Sequence, residues 1–237
     1  GDIWVNDENL LLDGTEIGEE INLEKFELYW SADTYVPFGY QGRPLPTQGS
    51  WVTVNAFLEL SKGNPKSLKY SWFLDGIFQE SKSGYSKDSF KFGIRKLTGS
   101  SHTVLVKAFN ESRSFLEERS ITIPITSPEI VVYNKNSSPV KLPYLTSDKK
   151  FDVVSDKESS FLALPYFFSI KKIKDLEFEW ILGEKKVKDS SLVANVFGLK
   201  IINKEVGGLL EETLKVVATN KLVSEQKVKK SINLNIY

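Results

Sequence analysis

The chain contains its own repeat. SLKYSWFLDG, beginning at Ser67, returns as DLEFEWILGE, beginning at Asp175, a shift of 108. Leu68, Tyr70, Trp72 and Leu74 alternate with Lys69 and Ser71; Leu176, Phe178, Trp180 and Leu182 alternate in the same way with Glu177 and Glu179. Period-two alternation is the pattern of a strand with one buried face. HTVLVKAFN, ending at Asn110, aligns with ETLKVVATN, ending at Asn220. RSITIPI aligns with KSINLNIY, placing Ile121, Ile123 and Ile125 opposite Ile232, Leu234 and Ile236. Upstream, SWVTVNAF from Ser50 aligns with SFLALPYF from Ser160, and ELYWSADTYVP with EIVVYNKNSSP. Offsets that drift only slightly while keeping strand parity describe a duplicated domain with insertions confined to loops.

Each copy reads as an opening strand, a strand after a long loop, a Trp strand, a shorter strand and two closing strands. The shorter strand is expected at Asp88–Ile94 in the first copy and at Ser190–Val196 in the second. Asp75-Gly76, Gly183-Glu184, Leu97-Thr98-Gly99 and Gly207-Gly208 supply turn signals between strands. No helical periodicity competes. The expected fold is all-β: two tandem immunoglobulin-like β-sandwich domains, with Trp72 and Trp180 as buried core residues between the sheets. Residues 26–126 and 127–237 are the two domains. Residues 1–25 are an acidic N-terminal strand or linker, or the remnant of a preceding domain. The junction near Thr126–Pro128 is short, and Pro128 should limit bending there.

YSWFLDG, followed by SHTVLVKAFN and a closing ITI strand, resembles PKD-type and related bacterial immunoglobulin-like domains. The second copy keeps Trp180 and LKVVATN but has Leu-Gly-Glu in place of the Asp-Gly turn, and both copies lack the fuller Gly-Asp-Gly signature. WSADTYVPFGYQGRPLPTQGS, SGYSKDSFKF and PEIVVY together resemble a tandem arrangement in exported proteins of small-genome bacteria, over residues 27–237. That resemblance implies display outside the cytoplasm and no particular chemistry.

Composition narrows function further. Lys plus Arg equals Asp plus Glu at 31 each, which gives no reason to expect a nucleic-acid partner. No apolar run approaches the roughly 18–20 residues that span a bilayer. There is no Cys, so neither disulfides nor thiolate chemistry arise, and no Met, which with Gly1 points to a processed chain or a fragment. No cofactor motif is present: no Gly-rich loop leads from a strand into a helix. His102 is the single histidine and has no acidic neighbour in sequence, so no general-base pair can be read. Asp2, Asn6, Asp7, Glu8 and Asp13 offer oxygen ligands, but their spacing matches no calcium loop, and a solvated acidic lead is the expectation. Asn110-Glu111-Ser112 and Asn136-Ser137-Ser138 match the glycosylation triplet at about the frequency chance provides.

The candidate ligand-binding residues are Tyr35, Phe38, Tyr40 and Trp51, on a segment stiffened by Pro37, Pro44 and Pro46. Aromatic faces on a stiff loop suit sugar stacking or peptide capture; the alternative is that they pack against the sandwich or the neighbouring domain. Trp51 has the opposite parity from Val52 and Val54 and is the best exposed candidate. The matching loop of the second copy, Asn134–Lys157, has Tyr144 and Phe151 but is mostly polar. The sequence therefore reads as a non-enzymatic, extracellular structural or adhesive module of a larger bacterial surface or secreted protein. A carbohydrate- or peptide-binding accessory module of a secreted enzyme is the alternative. Expected partners are neighbouring domains of the same polypeptide and a cell-surface glycan or protein.

Overall fold

A computed structural model describes residues 20–135, 150–187, 193–202 and 209–237. The acidic residues from Asp2 to Asp13, the triplet at Asn136, Tyr144 and the Gly207-Gly208 turn lie outside the described residues.

The first domain is built from β1 (Asn22–Ala32), β2 (Trp51–Lys62), β3 (Lys69–Leu74), β4 (Ile77–Phe78), β5 (Gly84–Tyr85), β6 (Ser89–Gly93), β7 (Ser101–Phe109) and β8 (Leu116–Pro124). One sheet has the order β1-β2-β6 and the other β4-β3-β7-β8, with β5 also on β3. Alternation places Val52 and Val54 of the first sheet against Tyr70, Trp72, Val104, Val106 and Ile123 of the second, all buried. β1 takes in residues 22–25, which sequence alone assigns to the acidic lead. Ile21 and Leu23 already pack on this core, through a register shift between Asn22 and Lys25.

The second domain repeats the plan with β9 (Glu129–Asn134), β10 (Lys150–Val153), β11 (Glu158–Tyr166), β12 (Leu176–Leu182), β13 (Lys185–Val187), β14 (Val196–Lys200), β15 (Leu210–Asn220) and β16 (Lys227–Ile236). Its sheets run β9-β11-β14 and β13-β12-β15-β16, the latter extended by β10. β10 pairs parallel to β16, an element the alternation did not announce. The first domain has its rudiment: Thr47 makes a single parallel bridge to Thr126. Among the described residues no strand of one half pairs with a strand of the other, and the halves build separate cores. These are two tandem immunoglobulin-like sandwiches.

The Trp environment is duplicated down to its partners. Trp72 is 0% exposed, stacks on Phe90 at 5.6 Å and donates Nε1–H to the Lys87 carbonyl at 2.8 Å. Trp180 is 2% exposed, stacks on Phe197 at 5.2 Å and donates to the Ala194 carbonyl at 3.5 Å. The equivalence of Phe90 with Phe197 corrects one expectation. Among the described residues the shorter strand of the second copy is Val196–Lys200; of the expected Ser190–Val196, residues 190–192 lie outside the described residues and residues 193–195 form the bend that leads into the strand. Phe197 and Leu199 are the inward pair there, because only that register stacks an aromatic ring on Trp180.

Candidate functional site

The long loop between β1 and β2 does not stand free. Thr34 ties it internally by donating Oγ1–H to the Leu45 carbonyl at 2.8 Å, and the Tyr40 amide closes a turn on the Pro37 carbonyl at 3.1 Å. Its body lies against the second domain. The Tyr35 amide donates to the Phe168 carbonyl at 2.8 Å, and the Phe167 amide to the Tyr35 carbonyl at 2.7 Å, a two-bond bridge of the kind that joins strands. The Tyr35 ring packs on the second core. Tyr40 meets Tyr166 at 5.6 Å and Phe167 at 5.9 Å, edge to face. Burial and the neighbouring Tyr166 push the Tyr35 phenol up; burial and a hydrogen bond shared with Tyr133 push up that of Tyr166.

At the centre of this junction is Gln226, 1% exposed, whose side chain makes four hydrogen bonds. Its Nε2 donates to Thr47 Oγ1 at 2.9 Å and to the Gln48 carbonyl at 2.8 Å, both in the first domain. Its Oε1 accepts from the Ser169 amide and from Asn220 Nδ2, both at 2.8 Å, in its own domain. Thr47 Oγ1 in turn donates to the Phe167 carbonyl at 2.9 Å. Phe167 has φ +62°, a backbone state a bulky residue holds only where its surroundings over-determine it. Here its amide, carbonyl and ring are all engaged. Gly49, at φ +87°, closes the contact: a Cβ there would sit 2.5 Å from Val223 Cγ1.

The four aromatic candidates thus do not form one row. Tyr35 and Tyr40 face the second domain. Phe38 is 100% exposed at the loop tip. Trp51 is 49% exposed on the outer face of β2. Its indole lies over Gly93, where a Cβ would be 3.7–3.8 Å from three ring carbons, and the Lys91 ammonium is 5.4 Å from the ring centre. Trp51 also holds Asp33, whose Oδ1 accepts the Trp51 amide at 2.7 Å.

Asp33 forms one wall of a cleft of about 550 Å³ between the domains, with Ser169, Ile170, Lys171, Asp175 and Leu222 as the other lining residues. Asp175 is fixed too: its Oδ2 accepts the amides of Lys171 at 3.3 Å and Lys172 at 3.0 Å. Sequence reasoning missed Gln226, Thr47, Ser169 and Gly49. A Gln in a charged turn and a Thr in a Pro-rich loop carry no local mark of a shared network.

His102 also differs from expectation. The fold brings Asp75 to it, with Oδ2 2.7 Å from Nδ1, and Lys96 Nζ lies 2.9 Å from the same oxygen. Burial alone would raise the Asp75 carboxyl, but bonds from Lys96, the Thr103 amide and His102 outweigh it and hold it down at about 2. The other ring nitrogen, Nε2, is buried without a hydrogen-bond partner among the described residues, and the ring rests edge-on to Phe92 at 5.3 Å. Among the described residues no three His, Cys, Asp or Glu side chains cluster as metal ligands. No described helix is long and apolar enough to cross a membrane.

No family model and no curated protein matches the chain. Solved structures do. The three N-terminal domains of the bacteriophage RB49 highly immunogenic outer capsid protein match with TM-score 0.47 and 12% identity, over 92% of this chain and 59% of that one. A Bacteroides ovatus protein of a mixed-linkage glucan utilization locus, in complex with a heptasaccharide, matches with TM-score 0.26 and 12% identity, over 90% and 48%. The titin domains z1z2 in complex with telethonin match with TM-score 0.27 and 15% identity, over 82% and 93%. The chain spans about half to three-fifths of the length of the first two.

Proposed function

We propose that the chain is a rigid, non-enzymatic two-domain module that acts as a spacer or adhesive segment in a larger exported bacterial protein. The observation that carries this reading is the Gln226 junction. A flexible linker would leave the facing surfaces polar and independently solvated. Here each domain instead supplies hydrogen-bond partners to one buried amide, and a backbone bridge runs beside it. Such a network transmits orientation, which is what a spacer needs. The resemblance of residues 27–237 to a tandem arrangement in exported proteins supports placement outside the cytoplasm. The sealed Nε2 of His102 supports the absence of catalysis, because a general base must reach its substrate proton.

Backbone ¹⁵N relaxation tests the reading. One rotational correlation time for both domains, appropriate to a particle of 26.9 kDa, is expected. Two independent correlation times would overturn it. The alternative, a carbohydrate- or peptide-binding module, is favoured by one observation, the cleft lined by Asp33 of the first domain and Asp175 of the second.

A further inference from the structure

We infer that the cleft between the two sandwiches binds a neutral oligosaccharide, with Ile170 and Leu222 as the apolar surface for a ring face. This extends the scaffold reading and fails separately from it, because the domains can stay locked without any sugar bound.

The lining is a mixture suited to polyols. Asp33 comes from the first domain and Asp175 from the second. One oxygen of each is already held by backbone amides, so the carboxylates are fixed in orientation before a ligand arrives. The second oxygen of each has no partner among the described residues, and it can accept a hydroxyl. Lys171 supplies a donor, and Ile170 with the 74% exposed Leu222 supplies apolar surface for the C–H face of a sugar ring. A cleft of about 550 Å³ lies within the range of about 300–1,000 Å³ typical of small-molecule sites, which occur preferentially at domain interfaces.

Other ligand classes fit less well. Calcium needs about six to eight oxygens; here Ser169 directs its hydroxyl proton to the Gly49 carbonyl at 3.4 Å, and the Lys171 ammonium competes with a cation. A polyanion meets Asp33 and Asp175. The lining carries two carboxylates and one ammonium, so a polyol finds both acceptors and a donor for its hydroxyls. Because the walls come from different domains, the site exists only while the junction is closed.

Isothermal titration of the full chain with cellohexaose, maltohexaose and laminarihexaose tests this, with hexagalacturonate and pentalysine as charged comparisons. At least one neutral hexaose is expected to bind, with one site per chain. Lys171→Ala is expected to weaken it by about tenfold. The position is exposed, and unchanged circular dichroism confirms that the variant folds. Leu222→Asp, at the exposed rim, is a second route to the same loss. Binding of charged oligomers alone, no binding by any neutral hexaose, or full affinity in both variants overturns the inference.

Discussion

Replacing Gln226 with Ala removes four hydrogen bonds at once but does not orphan four groups. Asn220 Nδ2 keeps the Ser169 carbonyl at 3.2 Å, and Thr47 Oγ1 keeps the Phe167 carbonyl. The Gln48 carbonyl and the Ser169 amide lose the partner that Gln226 gave them. Each part-buried orphan costs about 1–3 kcal/mol, so the two together cost about 2–6 kcal/mol. Release of the Gln side chain returns roughly 1–2 kcal/mol of entropy. At mid-range the net loss is about 2.5 kcal/mol, and it falls on the junction and not on either core. Calorimetry of the full chain reads this directly. The parent chain is expected to unfold in one transition and Gln226→Ala in two, since uncoupled domains melt separately. Gln226→Glu is nearly isosteric but cannot donate to Thr47 Oγ1 and the Gln48 carbonyl together, so it should cost at least as much. Losses below about 0.5 kcal/mol for both variants, with one transition retained, would refute the reasoning, because that is the range of an ordinary surface substitution.

Three further outcomes follow from the same geometry. Gly49→Ala should separate the domains, since φ +87° costs an L-residue about 1–2 kcal/mol and the new Cβ meets Val223; differential scanning calorimetry should split the transition as for Gln226→Ala. Trp72→Ala and Trp180→Ala should each destabilise their own domain by about 3–5 kcal/mol in urea unfolding, and a loss below about 1 kcal/mol would mean the rings are not core. Asp75 has its carboxyl held near 2, below its ordinary 3.8, so its stabilising contribution is full above 3.8 and is lost as pH falls toward 2. Asp75→Asn should therefore lower the melting temperature at pH 6 and converge with the parent chain by pH 2.

The parts of this fold legible in the sequence are those set by local alternation. Trp72 and Trp180 sit on strands whose inward residues recur at every second position, and that pattern places them without knowledge of partners. β14 was displaced because Phe197 and Leu199 flank a Gly, while residues 190–196 offer a competing run of small and apolar residues. β10 escaped because four residues on a parallel edge carry too short a pattern to recognise. The junction was least legible. Gln226 reaches Ser169 and Thr47 across 57 and 179 positions of chain, and no window of sequence holds both ends of such a contact. The pairing of Asp75 with His102 was hidden likewise, across 27 positions. Tyr35 and Tyr40 read as aromatic rings on a stiff loop; which surface they cover depends on a second domain that local pattern does not position.

The central claim, that one buried amide network fixes the two sandwiches in a single orientation, can be measured as a distance distribution. The chain has no Cys, so spin labels at Lys82→Cys and Glu184→Cys, both exposed and one in each domain, report that orientation alone. Pulsed electron–electron double resonance should give one narrow distribution in the parent chain and a broad one in Gln226→Ala. A broad distribution in the parent chain would contradict the account.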